Sequence, residues 1–168
     1  MSITLLTTGG TIDKVYFDAN STFQVGDSVV SELLRQAHVE LPVEINGLMK
    51  KDSLELTDAD RAAILAAVQQ TPGQQIIITH GTDTMTQTAA VLAAARDKVI
   101  VLTGAFSPAR FAMSDAIFNI GMAFAAVQTL QPGVYITMSG QVFEAHRVVK
   151  NLAAQRFELR STDGSTDE

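Results

Sequence analysis

The chain has 168 residues, enough for one compact domain and too few for two ordinary ones. It is 46% hydrophobic and 18% charged with a mean hydropathy of +0.18, which excludes a disordered chain. A net charge of −6 disfavours nucleic acid as a partner, and the absence of cysteine removes disulfides, thiolate metal sites and thiol nucleophiles.

In chain order, an apolar strand at Ile3 to Leu6 runs into the turn Thr7-Thr8-Gly9-Gly10-Thr11. Residues 12 to 27 show no sustained period and read as a long irregular loop. Val29, Val30, Leu33 and Leu34 fall at helical spacing over Ser28 to Gln36, behind a serine suited to capping. A strand over Val39 to Ile45 is broken by Asn46-Gly47. Thr57-x-x-Asp60 has the form of a capping box for a helix over 58–70 that stops before Pro72-Gly73.

Ile76, Ile77 and Ile78 mark a strand from Gln75 to Thr79 that is buried on both faces. The polar turn His80-Gly81-Thr82-Asp83-Thr84 opens onto an alanine-rich helix, Met85 to Arg96. A strand at Val99 to Leu102 meets Thr103-Gly104-Ala105, a helix follows over Ser114 to Leu130, and Val134 to Met138 supplies a further strand. Strand and helix alternate throughout. This predicts a single α/β domain over 1–159, built as a three-layer parallel sheet of Rossmann-like or flavodoxin-like type, followed by a flexible tail at 160–168.

Within Ile120 to Val127 the last helix is apolar on every face, so association into a homo-oligomer, a dimer or tetramer, is expected. The start MSITLLTTGG has neither a basic n-region nor an export-length apolar run, and no stretch of about 18 apolar residues occurs. A soluble cytoplasmic protein with no membrane partner is the expectation.

Ligands of open α/β sheets bind at the carboxyl ends of the strands, where backbone N–H groups converge at helix entries. Three polar turns stand at such ends: Thr7 to Thr11, His80 to Thr84, and Thr103 to Ser107. Each pairs glycine, which lets a ligand approach the backbone, with hydroxyl side chains; the same residue types also serve ordinary turns and caps. There is no GxxxxGK[ST], no GxGxxG after a strand and no GxSxG elbow. His38, His80 and His146 lack metal-ligand spacing, and no metal or cofactor is called for.

TTGGTID at 7–13 and HGTDTM at 80–85 resemble the two signature motifs of the bacterial-type asparaginase and glutaminase family. The resemblance continues through Thr103-Gly104-Ala105-Phe106-Ser107-Pro108 and on to Asn151, and covers only the family's larger, N-terminal domain. It implies an amidohydrolase that converts asparagine, or a related small amide, to acid and ammonia. It makes Thr11 the nucleophile and joins Thr82, Asp83 and Lys150 to it as catalytic groups, with Gly10, Gly81 and Ala105 lining the substrate pocket. The chemistry suits these residue types: a threonine hydroxyl is a poor nucleophile until a base takes its proton, and backbone N–H groups can meet the oxyanion.

Three departures from the family stand out. Its assisting tyrosine falls at Phe23, with Tyr16 in the same segment as a substitute. The serine and glutamine that hold the substrate's α-carboxylate are replaced near Met49-Lys50-Lys51-Asp52, where Lys50 could pair with a carboxylate. Within these 168 residues nothing resembles the family's C-terminal domain, which the resemblance implies would complete a neighbour's site. A non-catalytic module binding a small amino acid or dicarboxylate therefore stands as the alternative to the enzyme.

Overall fold

The computed structural model describes residues 2–17 and 21–161. Its centre is a six-stranded sheet. β1 (Ile3–Gly9) is flanked by β4 (Val43–Lys51) and β5 (Gln75–Thr79), and beyond β5 lie β6 (Val99–Thr103), β7 (Gly133–Met138) and β8 (Gln141–Glu144). All pairings are parallel except β7 with β8. The short hairpins β2 (Lys14–Phe17) with β3 (Thr22–Val25), and β9 (Val148–Asn151) with β10 (Arg156–Leu159), stand outside this sheet.

Alternation along the inner strands builds two cores. Leu5, Ile77 and Val101 face α1 (Val30–Gln36) and α4 (Ala116–Thr129). Leu6, Ile76, Ile78, Ile100 and Leu102 face α2 (Asp58–Gln70) and α3 (Met85–Leu92). Both strand faces are therefore apolar, the expected signature of a parallel sheet covered on both sides. Thr57 and Asp60 form the expected capping box at the start of α2. No helix among the described residues is long and apolar enough to cross a membrane.

The five parallel strands have the doubly wound order 2-1-3-4-5. After β1 the chain passes to α1 on one layer; after β5 it passes to α3 on the other. The chain leaving these neighbouring strands thus enters opposite layers, the switch point at whose carboxyl ends ligands of such sheets bind.

Several elements differ from expectation. The irregular loop over 12–27 is a 3-10 turn, Thr11–Asp13, followed by the β2–β3 hairpin; its residues 18–20 lie outside the described set. Tyr16, Phe17 and Phe23 are about half exposed, so the hairpin lacks the inside–outside polarity that reveals a strand. The strand expected at Val39 to Ile45 starts later and runs through Asn46-Gly47, because β1 supplies a parallel partner for each residue from Val43 to Gly47. Helix α3 ends at Leu92 rather than Arg96. Of the expected tail, Arg160 is held by its N–H to Arg147 O at 2.8 Å, and residues 162–168 lie outside the described set.

Candidate active site

The turns after β1 and β5 touch through glycine. Gly10 has φ +90°, a conformation that L side chains rarely adopt, and a Cβ there would lie 2.5 Å from Gly81 Cα. A Cβ on Gly81 would in turn meet Ser53 Cβ at 2.6 Å. Thr11 and Thr82 each directly follow one of these two glycines, so the backbone contact holds the starts of both segments against each other. The third turn joins them, since Gly104 is packed on the carbonyl oxygen of His80 and precedes the buried Ala105.

Lys150 arrives from far along the chain. Val148 and Phe157 anchor the β9–β10 hairpin in the core behind β7, leaving Lys150 directed at the turn after β5. Its ammonium donates to Thr82 Oγ1 at 2.8 Å and pairs with the Asp83 carboxylate. The lysine side chain is 5% exposed and that of Asp83 35%. An amine, an acid and a hydroxyl thus meet where charge is only partly solvated.

Other predicted residues find partners elsewhere. Lys50 is mostly exposed and its ammonium pairs with Asp27. Lys51 is bound by Asp60, whose carboxyl the Thr57 backbone N–H and the Lys51 ammonium hold down at about 2. Tyr16 sits across the hairpin from Phe23, ring edge against ring at 5.5 Å.

The structure adds groups that motif reading did not single out. Asp13 is buried and accepts from Val29 N–H at 3.1 Å, tying the Thr11 turn to the start of α1; burial raises its pKa. Ser53 accepts from Thr84 Oγ1 through its carbonyl at 2.7 Å. Asp115 accepts from the N–H groups of Phe106 at 2.9 Å and Ser107 at 2.9 Å. Fully buried Asn119 donates to Gly104 O and to Asp115, and accepts from Ser139 N–H. Each is one polar residue among many in sequence; only its position at a sheet-edge loop distinguishes it. A cavity of about 570 Å³ lies against α3 beside Ala89, Ala93 and His146, away from Thr82 and Lys150.

His80 supports the site from beneath. Nδ1–H donates to Gly81 O at 2.7 Å and Nε2 accepts from Thr88 Oγ1 at 2.7 Å, an arrangement for a neutral ring. Burial lowers its pKa to about 4. An unfolded histidine takes its proton near 6.5, so between those values the unfolded chain binds more protons and stability falls as pH falls. Urea unfolding should therefore show up to about 3 kcal/mol of His80-linked loss between pH 6.5 and 4, a loss that His80→Gln removes. An unchanged pH slope in that variant would refute the assignment.

A family model described as the N-terminal domain of asparaginase matches residues 2–164. The chain belongs to the asparaginase family. It is 31% identical over 162 residues to the probable periplasmic L-asparaginase of Haemophilus influenzae, covering 89% of this chain and 46% of that protein. It is 31% identical over 149 residues to a component of the glutamyl-tRNA(Gln) amidotransferase of Methanococcus vannielii, covering 84% and 35%. Its fold superposes on the thermostable L-asparaginase of Thermococcus kodakarensis with a TM-score of 0.82 and 26% identity, covering 95% of this chain and 51% of that one. This asparaginase-family chain spans about half or less of the length of these relatives.

Proposed function

We propose that this chain hydrolyses the side-chain amide of asparagine, or of a related small amide, to the acid and ammonia. The observation carrying this reading is the hydrogen bond from Lys150 to Thr82 beside Asp83, at the turns that Gly10 and Gly81 draw together.

Thr11 is the nucleophile: its hydroxyl attacks the amide carbon and the carbonyl becomes an oxyanion. Backbone N–H groups of the turn after β5, which opens onto α3, are suited to meet that charge. Lys150 holds the proton traffic. As an ammonium it donates to Thr82; as the amine it accepts the Thr82 proton, and Thr82 in turn can relieve Thr11 or a water of one. Asp83 stabilises the ammonium so formed and keeps it aimed, until that proton passes to the departing nitrogen. Ammonia departs with the proton so gathered, and water releases the acid from Thr11.

Ammonia release from asparagine, glutamine and simple amides tests this. Turnover that Thr11→Ala abolishes supports the enzyme, whereas saturable aspartate binding without turnover supports the binding module.

We also infer that copies of the chain associate as a dimer or tetramer through the outer side of α4. That helix carries no charged side chain, and Ile117 and Phe118 on it are 41% and 59% exposed. Sedimentation should give an oligomer at micromolar concentration and a monomer for Phe118→Asp; a wild-type monomer would end the inference.

A further inference from the structure

We infer that Phe106 is a positioning residue for Lys150, clamped in place by Asp115. The inference rests on the reading of Lys150 as the working amine of the amide hydrolysis.

A lysine ammonium ends a flexible four-carbon stem, so two polar partners on one side do not fix where it points. In this fold an aromatic ring stands beside it as a third neighbour. Lys150 Nζ stands over the Phe106 ring, 5.6 Å from its centroid, within the range where the negative face of an aromatic ring attracts a cation. The ring is itself backed by Phe157, at 6.4 Å between centroids, and Phe157 is the cross-strand neighbour of Lys150 in the β9–β10 hairpin. The ammonium therefore has the Phe106 ring as a neighbour besides the Thr82–Asp83 pair, in keeping with a side chain only 5% exposed.

Phe106 lies on a loop, and such a neighbour is useful only if it is rigid. The Asp115 carboxylate supplies the rigidity by accepting from Phe106 N–H at 2.9 and 3.1 Å and from Ser107 N–H at 2.9 Å. Asn119, one turn further along α4, pins Gly104 O at 3.0 Å and Ser139 N–H at 3.0 Å. The loops after β6 and β7 are thereby fastened to one helix. A substitution at Phe106 or Asp115 thus acts on the chemistry through the lysine, without requiring contact with the substrate.

Two readouts test this. In protein with isotope-labelled lysines, the Lys150 ε-CH2 resonance, identified by its loss in Lys150→Met, should be displaced upfield by the ring. It should return to the ordinary lysine position in Phe106→Leu, move part of the way in Asp115→Asn, and stay displaced in Phe106→Tyr. In amide turnover, Phe106→Leu should lower kcat about tenfold with KM within about twofold, and Phe106→Tyr should restore kcat. A Lys150 resonance indifferent to Phe106→Leu, an unchanged kcat, or a rise in KM alone overturns the proposal. If the wild-type chain releases no ammonia, the hydrolase reading fails and the resonance by itself decides the positioning.

Discussion

Lys150→Met is expected to lower ammonia release by about 10³-fold while leaving the chain folded. The ammonium it removes is the common partner of Thr82 Oγ1 and Asp83, and among the described residues no second lysine bonds to either group. A positioned general base contributes 10² to 10⁴ in typical enzymes, and loss of the nucleophile that it serves is at least as costly. Methionine matches the length and apolar character of the lysine stem, so packing beneath the Phe106 ring is kept. Asp83, with 35% of its side chain exposed, remains solvated when its partner is gone. Unfolding free energy should therefore stay within about 1 kcal/mol of wild type. Steady-state ammonia release with a matched urea titration checks both statements, and turnover within a few fold of wild type in a folded Lys150→Met protein would remove the lysine from the mechanism. Thr11→Ala should be as inactive, for the separate reason that no oxygen is left to attack.

The second large effect is on stability. Gly10→Ala should cost about 3 kcal/mol or more, because two penalties act together: a side chain at φ +90°, and a Cβ 2.5 Å from Gly81 Cα, which is backbone and cannot swing aside. Relief requires the β1 and β5 turns to part, so any protein that still folds should also lose activity. Gly47→Ala is the contrasting case. Its φ is ordinary and its new Cβ would meet nothing closer than Thr7 Oγ1 at 3.6 Å, so a change within about 1 kcal/mol is expected. Equal losses in the two variants would show that the glycine contact is not what holds the turns together.

Much of the scaffold was legible in the chain because it rests on local pattern. Ile76-Ile77-Ile78 can only be a strand covered on both faces in a domain of this size, and the Thr57–Asp60 capping box marks where α2 begins. The hairpin at 14–25 and the continuation of β4 past Gly47 were not legible. In both, exposed or mixed residues take strand conformation because a partner strand supplies the hydrogen bonds, and that partner is set by topology.

For the site, residue types located two glycine–threonine turns at the ends of strands, and the resemblance to the asparaginase family named Thr11, Thr82, Asp83 and Lys150 as the candidates. Sequence alone also determined the layered α/β class, since alternating apolar runs must bury their faces on one another. Tertiary structure decided which candidates meet. The Gly10–Gly81 contact and the reach of the β9–β10 hairpin bring Lys150 to Thr82 across 68 positions of chain, while Asp27, equally unforeseeable from its own neighbourhood, takes Lys50. The physical reason is the range of the forces involved: hydrophobic periodicity is written along the chain at each element, but a hydrogen bond acts only over a few ångströms and depends on where the whole sheet places its loops.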